Sequence, residues 1–280
     1  NPRGGIELDV TVSRLGAEHF HLTSGAATRQ RDLSFLRRAL PADVTLRDAT
    51  EAFCTLGVMG AGAAAALEAA LPGQSWAGAA MGEVRSFHQD GAPLRATRVS
   101  FVGEYGWELT LPNATAGDVF AKLAGAGATP LGHFALDGCR IEKGFKHWGH
   151  DIGPTITPIE AGLGFTIDWS KDFAGKSVLA AQKEQGVAQR LVLLQIDGAA
   201  LMLHDEPVFE EGRAVGLTTS GARGPRTGLN LCFALIETPQ GETRAETFAR
   251  TFTVRVAGRD YPAHPLPKVP FDPAGKRMRS

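Results

Sequence analysis

The stretch KDFAGKSVLAAQKEQG, residues 171–186, leads into RLVLLQI, residues 190–196, and the reading of the fold turns on that change. The first segment reads as a helix opened by Asp172 and closed by Gly186. After it come only short runs with the alternation of strands: PVFE, AVGLTTS, LNLCFALIE and TFTVRVAG. Turn signals at Glu211-Gly212 and Gly258-Arg259-Asp260 separate them. This pattern predicts a compact all-β unit, a barrel or a sandwich, over residues 186–280.

Upstream, the pattern mixes helix and strand. Residues 6–15 and 19–24 read as strands, and Leu33, Leu36 and Leu40 sit at helical spacing before Pro41. VTLRD and AFCTLGVMG read as strands, and residues 61–71 as a small-residue helix closed by Pro72-Gly73. SFHQ and LRATRVSFV flank the turn signal Asp90-Gly91, and WELTL continues the sheet. Asn113 is the expected cap of a helix, and another helix is expected over 132–144. The fold class is therefore α+β over residues 1–185, followed by the small β-unit of 186–280.

With 29 Lys plus Arg against 30 Asp plus Glu, the net charge of -1 offers no attraction to nucleic acid or an anionic membrane. No apolar run is long enough to span a bilayer; AGAAAALEAAL is short and carries Glu68. Cys54, Cys139 and Cys232 are scattered and form no metal signature, which suits a reducing, cytoplasmic interior. There is no Walker A sequence, no GxGxxG between strand and helix, no HExxH and no G-x-S-x-G. His147 and His150 are three apart, but Trp148-Gly149 between them reads as loop, so no metal site is expected.

Taken alone, the charged residues read blandly. Asp9 shares a strand parity with Glu7, Thr11 and Ser13, the pattern of a solvated face. Glu108 points opposite to Trp107 and Leu109, again toward a wet face, and Glu104 falls at a turn. Arg140, on a helix with Glu142 and Lys143, reads as a surface residue. HWGHDIGPTITPIEAGLG packs Trp148, His150, Pro and Gly between ordered elements, the composition of a loop that either lines a site or is only structural.

Five blocks in this order, NPRGGIELDVTVSRL, VSFVGEYGWEL, ALDGCRIEKGFKHWGHDI, TPIEAGLGF and DFAGKSVLAAQ, resemble the aminomethyltransferase (glycine-cleavage T-protein) superfamily. The -RGGIE-D-TVSRL opening and the -EKG--HWGHDI- run are most similar to the tetrahydrofolate-binding module of dimethylglycine and sarcosine dehydrogenases. The resemblance implies a T-protein-like folate-binding body, N-terminally truncated at the N-x-x-G-G motif, with a C-terminal β-barrel. It also implies a catalytic carboxylate at Asp9, at the end of that motif and strand. By the same resemblance a pterin-gripping carboxylate falls at Glu108 and a folate-contacting arginine at Arg140. Phe101 stands where the family carries Tyr, so a ring can stack on the pterin but the hydroxyl bond is lost. Trp107, Glu104, Trp148 and His150 are expected to line the site.

The implied cofactor is tetrahydrofolate, with FAD supplied only by a preceding segment or a separate subunit. The implied partners are that segment or subunit, with a homo-oligomer as a further expectation. The implied chemistry is capture of a methylene group from an oxidised N-methyl amine as 5,10-methylenetetrahydrofolate. The alternatives are a stand-alone folate-dependent aminomethyltransferase or demethylase, and a folate-binding or structural subunit without turnover.

Overall fold

The computed structural model describes residues 1–279, and its internal contacts divide the chain into two compact units. The first comprises residues 1–8 and 132–273; the second comprises 9–131 and the last residues from Ala274. The expected boundary at 185/186 falls inside the first unit.

The second unit opens with an antiparallel hairpin of β1 (Val10–Arg14) and β2 (Phe20–Ser24). Strand structure starts at Val10 rather than at residue 6 as expected, because residues 1–8 belong to the other unit. Helix α1 (Arg29–Ala39) ends before Pro41, as its leucine spacing and that proline require. VTLRD forms no strand; Asp48 there accepts from Arg29 Nε at 2.9 Å and from Thr50, an Asx turn that competes with a ladder. A four-stranded antiparallel sheet follows in the order β3 (Phe53–Met59), β6 (Gly106–Pro112), β5 (Ala92–Thr97), β4 (Val84–Gln89).

Helices α2 (Ala63–Ala70) and α3 (Asn113–Gly125) contribute Leu67, Val119 and Leu123 to the core on one face of this sheet. Trp76, Leu94, Trp107, Leu109 and Leu111 complete that core, each large side chain worth about 1.5–3 kcal/mol of burial. Asn113 does not cap α3. It is the first helical residue, and its amide donates instead to Glu51 O at 2.9 Å.

In the first unit, α4 (His133–Glu142) is followed by the loop of residues 143–175 and then α5 (Lys176–Gln185). Helix α5 begins four residues after Asp172 because Gly175 takes φ 86°, a left-handed conformation that precedes the first turn. Six antiparallel strands then close a barrel in the order β10 (Asn230–Glu237), β7 (Gln189–Ile196), β12 (Arg259–Pro265), β11 (Phe252–Val256), β8 (Pro207–Glu210), β9 (Arg213–Arg223). Alternation on β7 explains its apolar run: Val192, Leu194 and Ile196 fill the barrel, while Leu191 and Leu193 join a second cluster with Ile141 of α4. Between β10 and β11, the T-x-x-E sequence of Thr243 and Glu246 closes a capping box on α6 (Arg244–Ala249). Neither that helix nor β12 follows from the alternation read in the sequence.

Candidate functional site

The opening motif is a turn locked onto the first unit. Asn1 Oδ1 accepts from the amides of Arg3 and Gly5 at 3.0 and 3.1 Å, and its Nδ2 donates to Glu7 Oε2 and Pro154 O. Gly5 is obligatory, since a Cβ there would lie 1.9 Å from Pro154 O. Ile6 N–H donates to Gly153 O and Ile156 O, which holds the motif on the loop of the first unit. Asp9 is the first residue beyond this anchor. It is exposed and stands one position ahead of β1, continuing the alternation of Thr11 and Ser13.

Glu108 lies on β6, opposite Thr97 of β5 and Gly57 of β3. Its parity turns it away from the Trp107–Leu109 core, as the sequence requires, yet the residue is half-buried rather than wet. Burial pushes its carboxyl pKa up. Among the described residues no hydrogen bond or ion pair offsets that cost. Phe101 is half-buried, with its N–H on Met59 Sδ at 3.4 Å. Glu104 is buried and faces Arg277 Nη1 at 3.5 Å.

Trp107 corrects an expectation: it is 0 % exposed, packs edge-on to Trp76 and donates Nε1–H to Trp76 O at 3.1 Å. It is a core residue.

Arg140 also departs from its bland reading as a surface residue, being 1 % exposed. Nε donates to Asp137 Oδ1 at 2.9 Å, and Nη1 donates to Phe145 O at 3.1 Å and to Asp151 Oδ2. Asp151, 0 % exposed, further accepts from His147 N–H at 2.9 Å, Thr219 Oγ1 at 2.5 Å and Ser220 Oγ at 2.6 Å. One carboxylate thus ties α4, the loop 145–151 and β9.

The neighbours of Arg140 on α4 are equally committed. Glu142 accepts from Arg226 Nε at 2.5 Å and from Thr227 N and Oγ1, and Lys143 Nζ donates to Asp272 Oδ2 at 3.1 Å and its carbonyl at 2.6 Å. The loop so fixed presents Trp148, whose Nε1–H reaches Ile6 O at 3.0 Å, and exposed His150, whose ring centroid is 4.8 Å from that of His147. Burial, then Arg140 and His150, lower the His147 pKa, so the neutral imidazole is favoured. Among the described residues no group of His, Cys, Asp and Glu is placed to hold a metal ion.

Asp9, Glu108, Phe101 and Glu104 thus belong to the second unit, and Arg140, Trp148 and His150 to the first. The sequence reading missed two residues. Asp151 gave no signal beyond its place in HWGHDI. Arg95 did give one, as a charge at the middle of the strand run LRAT.

The sequence matches the GCVT N-terminal domain over residues 1–171 and the glycine cleavage T-protein C-terminal barrel domain over residues 189–272. The chain belongs to the aminomethyltransferase (glycine-cleavage T-protein) family. This family is one of folate-dependent one-carbon transfer. The fold of this T-protein relative agrees: a crystal structure of the glycine cleavage system aminomethyltransferase T from Bartonella henselae superposes with a TM-score of 0.83. The two share 24 % identity, over 100 % of this chain and 75 % of that one.

Among curated relatives, the 4-methylaminobutanoate oxidase (formaldehyde-forming) of Paenarthrobacter nicotinovorans is 36 % identical, covering 100 % of this chain and 34 % of that protein. Human mitochondrial sarcosine dehydrogenase is 30 % identical over 100 % of this chain and 33 % of that protein. The aminomethyltransferase of Listeria innocua is 31 % identical over 87 % of this chain and 68 % of that protein. This T-protein-family chain therefore spans about a third of the length of the oxidase and dehydrogenase it matches. Among its described residues no helix is long and apolar enough to cross a membrane.

Proposed function

We propose that this chain is the tetrahydrofolate-binding, one-carbon-transfer part of an N-methyl amine demethylating system. In this reading it captures the methylene group of an oxidised dimethylglycine- or sarcosine-type amine as 5,10-methylenetetrahydrofolate. The observation that carries the reading is similarity over the full length of this chain to an oxidase whose name specifies formaldehyde as product. The reduced folate supplies the nucleophilic nitrogens; the protein supplies binding, orientation and proton handling.

Glu108 fits a pterin on physical grounds. A desolvated carboxylate without a partner regains its lost hydrogen bonds when a ring edge of amino and amide N–H groups docks against it. Asp9, exposed one position ahead of β1, is the group assigned to hold the proton exchanged at the reacting nitrogen. Phe101 offers a face for stacking. Arg140, buried and already paired, acts within the first unit by fixing, through Asp151, the loop that carries Trp148 and His150. The amine-oxidising step draws its FAD from a further segment or a partner, because this sequence carries no dinucleotide fingerprint.

A stand-alone aminomethyltransferase is the second reading, favoured by the match over 68 % of the Listeria innocua aminomethyltransferase. Calorimetric titration of the protein with tetrahydrofolate, beside Asp9→Asn and Arg140→Ala, tests both. Absence of binding would sink the two together. Binding with capture of free formaldehyde supports the first, binding with transfer only from an aminomethyl carrier supports the second, and binding without either identifies a non-catalytic subunit.

A further inference from the structure

The four-stranded sheet of the second unit has one apolar face, occupied by α2, α3 and the Trp76–Trp107 core. On its other face, Arg95 stands opposite Thr110 and Ser86, and Glu108 stands opposite Thr97 and Gly57. Such a face is normally wet, and a long cation on it normally reaches water. Arg95 does not. Its Nε and Nη1 are both buried without a hydrogen-bond partner among the described residues, and burial lowers the pKa of the guanidinium.

The charge of Arg95 is felt on the hairpin. His21 of β2 faces with Ser13 of β1, and its imidazole pKa is lowered by burial and then by the nearby charge of Arg95.

A guanidinium with two buried nitrogens and a half-buried carboxylate thus share one sheet face, one diagonal step apart on adjacent strands, about 7–8 Å at the backbone. Two opposite charges so placed would ordinarily pair, yet among the described residues neither has a hydrogen-bond or ion-pair partner. The geometry points to Arg95 as a ligand-binding residue that donates to the ring carbonyl of the same planar, fused nitrogen heterocycle whose N–H edge Glu108 accepts. This deepens the proposed function and rests on it, since a reduced pterin carries a carbonyl beside an amide N–H. Arg95 would also set specificity: a ring bearing an amino group in place of that carbonyl offers its fork a donor, not an acceptor.

An orphaned buried cation costs stability, which separates a ligand-binding role from a structural one. The experiment compares wild type, Arg95→Met and Arg95→Lys in two measurements: thermal unfolding without ligand, and calorimetric titration with tetrahydrofolate and with a 2,4-diamino analogue. Arg95→Met is expected to unfold at the wild-type temperature or above it. It is also expected to weaken tetrahydrofolate binding by about 10- to 150-fold, the scale of a charge-assisted hydrogen bond, and to lose discrimination against the analogue. Arg95→Lys, with one mobile donor, is expected to fall between. Met binding within about twofold of wild type, or a marked fall in unliganded stability, would overturn the assignment while leaving the folate reading intact. Failure of the wild type itself to bind tetrahydrofolate would remove both.

Discussion

Replacing Asp151 by Ala is the most demanding test of how the first unit is built. Its carboxylate is wholly buried and accepts from four groups: Arg140 Nη1, His147 N–H, Thr219 Oγ1 and Ser220 Oγ. The hydroxyls can rotate to other acceptors, and Arg140 keeps Asp137 and Phe145 O. What cannot be repaired is the charge balance, since the Arg140 side chain is 2 % exposed. Removing one member of such a buried pair costs about 3–5 kcal/mol, because the other charge stays desolvated. Hydrogen exchange read by mass spectrometry is the assay, with peptides of the second unit as internal control. Amides of β9 and of the loop 145–151 should exchange at least about 150-fold faster, the equivalent of about 3 kcal/mol. In the Arg140→Met, Asp151→Leu double variant, much of the loss should be recovered, as two apolar groups replace two charges. A loss under about 1 kcal/mol in Asp151→Ala would show that Asp137 alone satisfies Arg140, and the hub account would fail.

Glu108→Gln should make the unliganded protein more stable at neutral pH and remove a pH dependence. The folded carboxyl keeps its proton above the ordinary value of 4.5, so the native state binds more protons than the unfolded one. Its contribution is therefore full below 4.5 and is lost as pH rises through the raised value. Melting temperatures from about pH 4 to about pH 8 should show the gap between variant and wild type widening upward. Asp9→Asn should keep tetrahydrofolate affinity within a few-fold while slowing formaldehyde capture by about 10²-fold or more, read by stopped-flow absorbance. Gly5→Ala, whose Cβ would sit 1.9 Å from Pro154 O, should cost about 1–3 kcal/mol in urea unfolding, since backbone on both sides must move.

Much of the scaffold is legible because its signals are local. Leu33, Leu36 and Leu40 mark α1, and the alternation of RLVLLQI and LNLCFALIE marks the barrel strands. The ordered motif blocks reach further, to the family itself. What the sequence hides is decided by distant partners. Arg140, Glu142 and Lys143 look like an exposed charged turn of helix, but Asp151, Arg226 and Asp272 satisfy all three in the interior. Asn113 reads as a cap by type, yet its amide is used across 62 residues by Glu51 O.

Arg95 and Glu108 show the same limit at the site. Strand parity correctly turns both away from the apolar core, and parity alone makes that face wet. Whether it is wet depends on what covers it, and His21, over seventy residues earlier in the chain, already senses the charge of Arg95. The two burials in this molecule therefore differ in kind. The charges of α4 are buried and saturated, which is how a fold uses them for its own integrity. Those of the sheet face are half-buried and unmet, a cost that nothing among the described residues offsets and that binding of a complementary ring would.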